Sequence, residues 1–136
     1  MTAFSLDSDQ IAVRDMARSF ADEKLAPHAL EWDEKKIFPV DVIREAAALG
    51  MAAIYLREDV GGSGMTRFDA ALIFEEHSNG CPSIAAYVSI HNTCAWMIDV
   101  TLCVLGGSQR QKSRWTPVKV NFYGHPGKAG GTLEIV

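Results

Sequence analysis

Apolar residues recur with helical spacing over most of the first hundred positions of this chain. Val13, Met16, Ala17 and Phe20 fall at i, i+3, i+4 and i+7, one face of a helix, while Asp15, Arg18 and Asp22 fall largely off it. Ahead of them Asp7-Ser8-Asp9-Gln10 has the form of a capping box, an acceptor side chain with Gln three residues on. Pro27 interrupts the pattern, because it lacks an N–H and clashes with the preceding turn. The spacing therefore predicts one helix to about Leu25 and a short second one through about Glu34. Phe38-Pro39-Val40-Asp41 opens the next, with Val40, Ile43 and Ala47 on its apolar face and Gly50 suited to a left-handed C-terminal turn.

Met51-Ala52-Ala53-Ile54-Tyr55-Leu56 is apolar and short, either a buried strand or an extended connection; periodicity does not separate the two. Three glycines in Gly61-Gly62-Ser63-Gly64 predict a loop. Thr66 with Asp69 repeats the capping signature and starts a helix from Arg67 to about Asn79. Its C-terminal Glu75-Glu76 opposes the macrodipole, a local conflict. Gly80-Cys81-Pro82 breaks the chain, and residues 82–99 form the most apolar helix. Ile84, Val88, Ala95 and Ile98 share one face with His91, and Tyr87, Ile90, Cys94 and Met97 an adjacent one. Two apolar faces predict a central helix of a bundle. After Val100 the pattern fades. Val118–Tyr123 and Thr132–Val136 alternate like strands, but a lone hairpin is marginal in water and disorder competes with it. The expected fold is all-α, a bundle of five or six helices with an irregular or weakly β C-terminal tail.

Composition divides the chain. Residues 1–99 carry eight Lys/Arg against sixteen Asp/Glu, and residues 100–136 five against one, while glycine rises from five to six over a far shorter stretch. A helical domain over 1–99 and a divergent basic Gly-rich tail over 100–136 are expected. Five dispersed basic charges suit a solvated tail better than a nucleic-acid site. No apolar run reaches membrane-spanning length, and no signal peptide or Arg-rich presequence opens the chain, so a cytoplasmic location is expected. Cys81, Cys94 and Cys103 have no metal-ligand spacing; reduced thiols and no metal site are expected.

Glu31-Trp32-Asp33, Phe38-Pro39-Val40-Asp41, Asp59-Val60-Gly61-Gly62-Ser63-Gly64 and Ser89-Ile90-His91-Asn92, in this order and spacing, resemble the acyl-CoA dehydrogenases. The similarity is closest to the branch acting on isobutyryl-CoA and related short branched acyl-CoA thioesters, and it covers residues 4–99. The resemblance implies an N-terminal helical domain that, in the family, precedes a middle β domain and a C-terminal helical domain. It implies FAD as cofactor, acyl-CoA as substrate and α,β-dehydrogenation, in which a carboxylate takes the α proton and the flavin the β hydride. Gly107-Ser108-Gln109-Arg110-Gln111-Lys112 and Trp115-Thr116-Pro117 echo the family's continuation imperfectly, and its Thr-Glu-Pro-Gly-Ser-Gly-Ser-Asp segment is absent. A truncated, frameshifted or diverged gene product is one expectation, a chain not competent for turnover alone and not retaining FAD. The other is a small helical interaction module that self-associates or binds full-length relatives.

By the resemblance Ala86, Ser89, Ile90 and Thr93 lie nearest the acyl group; the competing reading is bundle core. No catalytic residue is expected within the chain. His91 is a proton-transfer group or, more simply, a boundary histidine, and Asn92 bridges domains or makes a local helix contact. Glu75 and Glu76 have nothing nearby to raise a carboxyl pKa. Gly61-Gly62-Ser63-Gly64 lacks the Gly-Lys-Ser/Thr continuation of a phosphate loop, which leaves a structural turn.

Overall fold

A computed structural model describes residues 5–105, 118–121 and 132–135. The first compact unit, up to Leu105, contains five α-helices: α1 (Ser8–Phe20), α2 (Ala29–Lys35), α3 (Val40–Ala48), α4 (Arg67–Gly80) and α5 (Pro82–Leu105). The two capping boxes form as the sequence predicts. Asp7 accepts from the Gln10 N–H at 2.8 Å and Gln10 Oε1 accepts from the Asp7 N–H. Thr66 and Asp69 make the same reciprocal pair ahead of α4.

Pro27 shapes what precedes it. Ala21–Leu25 widens into a π turn in which the Ala26 N–H reaches back to the Ala21 carbonyl at 2.9 Å. The helix thus closes one residue before the proline that could not continue it. Gly50 takes φ +84° just past α3. α5 runs to Leu105, six residues past the position where the sequence pattern ends it.

Residues 51–56 form neither a strand nor a helix. They turn back and pair with the segment after the glycines: the N–H groups of Ser63, Gly64 and Met65 donate to the carbonyls of Ala53, Leu56 and Ile54 at 2.8–2.9 Å. Met51, Ile54 and Leu56 point inward. Gly62 lies against Leu56 so closely that a Cβ would fall 2.3 Å from the Leu56 carbonyl oxygen, so only glycine fits.

The core sits where α1, the 21–25 turn and α5 meet α4, with Ala17, Phe20, Leu25, Met51, Ile54, Ile73, Ile84 and Val88 excluded from water. Such burial contributes roughly 1.5–3 kcal/mol for each large apolar side chain. Of the two apolar faces of α5, the first is buried at Ile84 and Val88 and opens toward Ile98. The other is exposed, with Ile90 61% and Met97 56% accessible, so α5 forms an edge of this unit rather than its centre. No helix among the described residues is long and apolar enough to cross a membrane.

The second unit, residues 106–136, contains an antiparallel hairpin of β1 (Val118–Asn121) and β2 (Thr132–Ile135), in the register Val118↔Ile135 through Asn121↔Thr132. Gly106–Pro117, which hold the imperfect family echo, lie outside the described residues.

Candidate functional site

α5 begins cleanly because Cys81 is extended and Pro82 takes the first helical position, where no N–H is needed. From there its sequence sorts two sides. Inward go Ile84, Val88 and Asn92; outward go Ala86, Ser89, Ile90 and Thr93, the four positions the sequence singles out, with Met97 one turn further. All four share one helix face by their i, i+3, i+4, i+7 spacing. Ser89 is half-buried and the other three are exposed.

The polar groups of this face are turned onto the helix itself. The Ser89 hydroxyl donates to the Ala86 carbonyl at 2.9 Å, and the Thr93 hydroxyl to the Ser89 carbonyl at 2.9 Å. Both protons are spent locally, so the surface offered outward is mostly methyl and methylene. The Tyr55 hydroxyl lies 3.2 Å from Thr93 Oγ1. Thr93's proton is already committed, so Tyr55 is the donor. Tyr55 is itself braced: the Arg67 guanidinium lies 4.9 Å from its ring centroid and 4.3 Å from that of Trp96, a cation–π stack. At the N-terminal end of α5, Tyr87 meets Phe38 edge-on at 4.9 Å. It also borders a cavity of about 230 Å³ lined by Trp32, Phe38, Cys81 and Ile84.

Behind the face, fully buried Asn92 ties α5 to the 51–56 turn. Its Oδ1 accepts from the Ile54 N–H at 2.7 Å, and its Nδ2 donates to the carbonyls of Met51 (2.8 Å) and Val88 (2.9 Å). Only the Val88 bond is a local helix contact; the other two reach 38 and 41 positions back along the chain. His91 is half-buried on the flank of Ile84 and Val88, and burial pushes its imidazole below the ordinary value, toward the neutral form.

The carboxylates are committed elsewhere. Buried Glu76 receives the Arg18 fork at 2.6 and 3.0 Å, and these hydrogen bonds hold its carboxyl below the usual range. That ion pair resolves the macrodipole conflict at the end of α4, since Glu76 answers a charge on α1 rather than its own helix. Glu75 is exposed. Asp99 is gripped by Arg57 at 2.8 and 3.1 Å. A general base needs a free carboxylate, and each of these two buried acids is held by an arginine.

The glycine loop is a turn. The N–H groups of Gly61, Gly62, Ser63, Gly64 and Met65 donate to the carbonyls of Glu58, Arg57, Ala53, Leu56 and Ile54, which leaves no run of donors to grip a phosphate. With its N–H groups committed in this way, the loop offers no grip for the diphosphate of FAD. Among the described residues no group of three His, Cys, Asp or Glu is placed to hold a metal ion.

Sequence reasoning missed the Tyr55–Arg67–Trp96 stack, whose members are far apart in the chain and carry no motif. It also missed the buried bonds of Asn92, although a carboxamide on the inward side of an apolar helix was a readable signal.

Residues 7–121 match the acyl-CoA dehydrogenase N-terminal domain. The chain is 44% identical over 115 residues to the mitochondrial isobutyryl-CoA dehydrogenase of Bos taurus, covering 85% of this chain and 26% of that protein. It is 45% identical over 117 residues to the mitochondrial isobutyryl-CoA dehydrogenase of Dictyostelium discoideum, covering 86% and 27%. A solved structure described as the electron transferring flavoprotein of Acidaminococcus fermentans superposes with a TM-score of 0.61 at 31% identity, over 65% of this chain and 23% of that one. The chain spans about a quarter of the length of the curated relatives it matches.

Proposed function

The chain belongs to the acyl-CoA dehydrogenase family through that family's N-terminal domain, and from this membership we propose that its helical unit forms the acyl-side wall of an FAD-dependent dehydrogenase acting on a short branched acyl-CoA. The observation that carries this reading is the exposed α5 face. Ala86, Ser89, Ile90 and Thr93 stand together there, with the hydroxyl protons of Ser89 and Thr93 turned back onto the helix. Such a face excludes water from a thioester's alkyl chain and limits its size, each methylene changing the fit by about 1–3 kcal/mol. The two 44–45% identical relatives are named for isobutyryl-CoA, which supports a short branched chain.

The family is FAD-dependent, and the flavin is the group that accepts hydride. With Glu76 and Asp99 each held by an arginine, neither buried acid takes the α proton in this reading. By this reading the chain on its own positions an acyl group, holds no flavin and performs no turnover. A purified preparation tests it. The expected result is a colourless protein in which millimolar isobutyryl-CoA moves the amide resonances of Ser89, Ile90 and Thr93. Stoichiometric yellow protein that oxidises an acyl-CoA overturns the scaffold reading, and shifts confined to residues away from α5 overturn the wall.

A further inference from the structure

His77 takes no part in the site above, and its surroundings are unusual. It is 0% exposed, on the core side of α4, and neither ring nitrogen has a hydrogen-bond partner. Buried polar groups are nearly always satisfied, so a doubly unpartnered imidazole is a standing cost. The neutral ring tolerates the position through its apolar body. The cation, with two N–H donors and a full charge, could not.

Three elements pack against α4, and none offers a counter-charge. From α1, Phe20 places its ring centroid 5.5 Å from that of His77; the charge nearest it in the chain, Arg18, is spent on Glu76. The 21–25 turn contributes buried Ala21 and Leu25 while Asp22, Glu23 and Lys24 are exposed. From α5 come Ile84 and Val88; among its described side chains the titratable groups are exposed Tyr87 and Cys94, half-buried His91, and Asp99, which Arg57 holds. Buried Cys81 sits at the α4–α5 junction.

We propose that His77 is an acid-sensitive latch between α1 and α4: taking up a proton forces the ring toward water, and the seam that must open is the one closed by Phe20 and the Arg18–Glu76 pair. Burial alone pushes the pKa of His77 down to about 4 from the ordinary 6.5. For a depressed histidine the stabilising contribution is whole above the unfolded value. It is lost as pH falls from about 6.5 through about 4.

Urea denaturation of the full 136-residue chain from about pH 7.5 to about pH 5 tests the latch. The ratio of unfolded to folded chain should rise with acid more steeply in wild type than in His77→Leu, the difference approaching about tenfold per pH unit, one extra proton taken up on unfolding. His91→Gln, the control for the other depressed imidazole, should keep that difference. At about pH 5.5, hydrogen exchange should show α1 amides losing protection relative to α5 amides in wild type but not in His77→Leu. Equal slopes in wild type and His77→Leu, or α1 and α5 loosening together, overturn the proposal. Should His77→Leu fail to fold, the wild-type imidazole resonances decide alone: a His77 ring that stays neutral to about pH 5 in the folded chain upholds the latch, and one already charged near pH 6 overturns it.

Discussion

At the scale of the residue, Asn92 shows how one polar side chain fixes a segment with no regular structure of its own. The 51–56 turn has apolar side chains to bury but too few backbone partners, and the carboxamide supplies an acceptor for Ile54 and a donor for Met51. Asn92→Ala strands both groups in a buried place and should cost about 2–4 kcal/mol, read as a lower urea midpoint at unchanged slope. Asn92→Asp separates the two halves of the role. Its carboxylate still accepts from the Ile54 N–H but faces the Met51 and Val88 carbonyls without a proton. Stability lost at neutral pH should therefore return in part as acid protonates the new group, whose folded pKa is raised by the same contacts. An Asn92→Asp chain as stable as wild type at pH 7 would refute this account. The four positions expected to line the acyl group came from the family resemblance, and their i, i+3, i+4, i+7 spacing puts them on one helix face. That the face points outward was not legible, because periodicity reports which residues share a side and is silent on what covers it.

At the scale of the element, what the sequence disclosed depended on whether the determinant was local. Caps, the break at Pro27 and the end of α3 were all legible because each is set within four or five residues. The 51–65 segment was not, since its bonds join Ala53 to Ser63 and Ile54 to Met65 across the glycine loop. Glu76 belongs with it: at the end of α4 it reads as a mistake until Arg18, 58 positions away, is placed beside it. The glycines of the loop are likewise unequal in a way that composition hides. Gly61 has φ +91° and open space around an added Cβ, so Gly61→Ala should cost only the left-handed penalty, about 1–2 kcal/mol. At Gly62 the Cβ would fall 2.3 Å from a backbone oxygen, which cannot swing aside as a side chain can. Gly62→Ala should therefore force the 51–65 turn apart and cost about 3 kcal/mol or more. Thermal midpoints of the two variants check the order, and equal losses would refute the close approach.

At the scale of the whole molecule, the helical unit is a folded body with one face unfinished. Its interior is closed by α1, α4 and the 51–56 turn, yet Tyr87, Ile90 and Met97 leave a run of large apolar side chains open along α5. In a soluble monomer such a run is a site waiting for a partner, and the proposed partner is an acyl chain with whatever encloses it. Two copies meeting α5 to α5 would satisfy the same surface, so the free chain should self-associate with rising concentration. Ile90→Lys, which places a charge at the most exposed of the three, should weaken that association while sparing a fold to which the side chain contributes little. Sedimentation velocity across a concentration series measures it, and a wild-type chain that stays monomeric throughout would remove the claim. The two uses of the face also exclude one another, which makes them thermodynamically linked. If isobutyryl-CoA and a second copy compete for Ile90 and Thr93, ligand must dissociate the dimer by the same factor by which dimerisation weakens ligand binding. Association that is untouched by isobutyryl-CoA, in a chain whose α5 resonances nonetheless respond to it, would mean that the copies meet somewhere else.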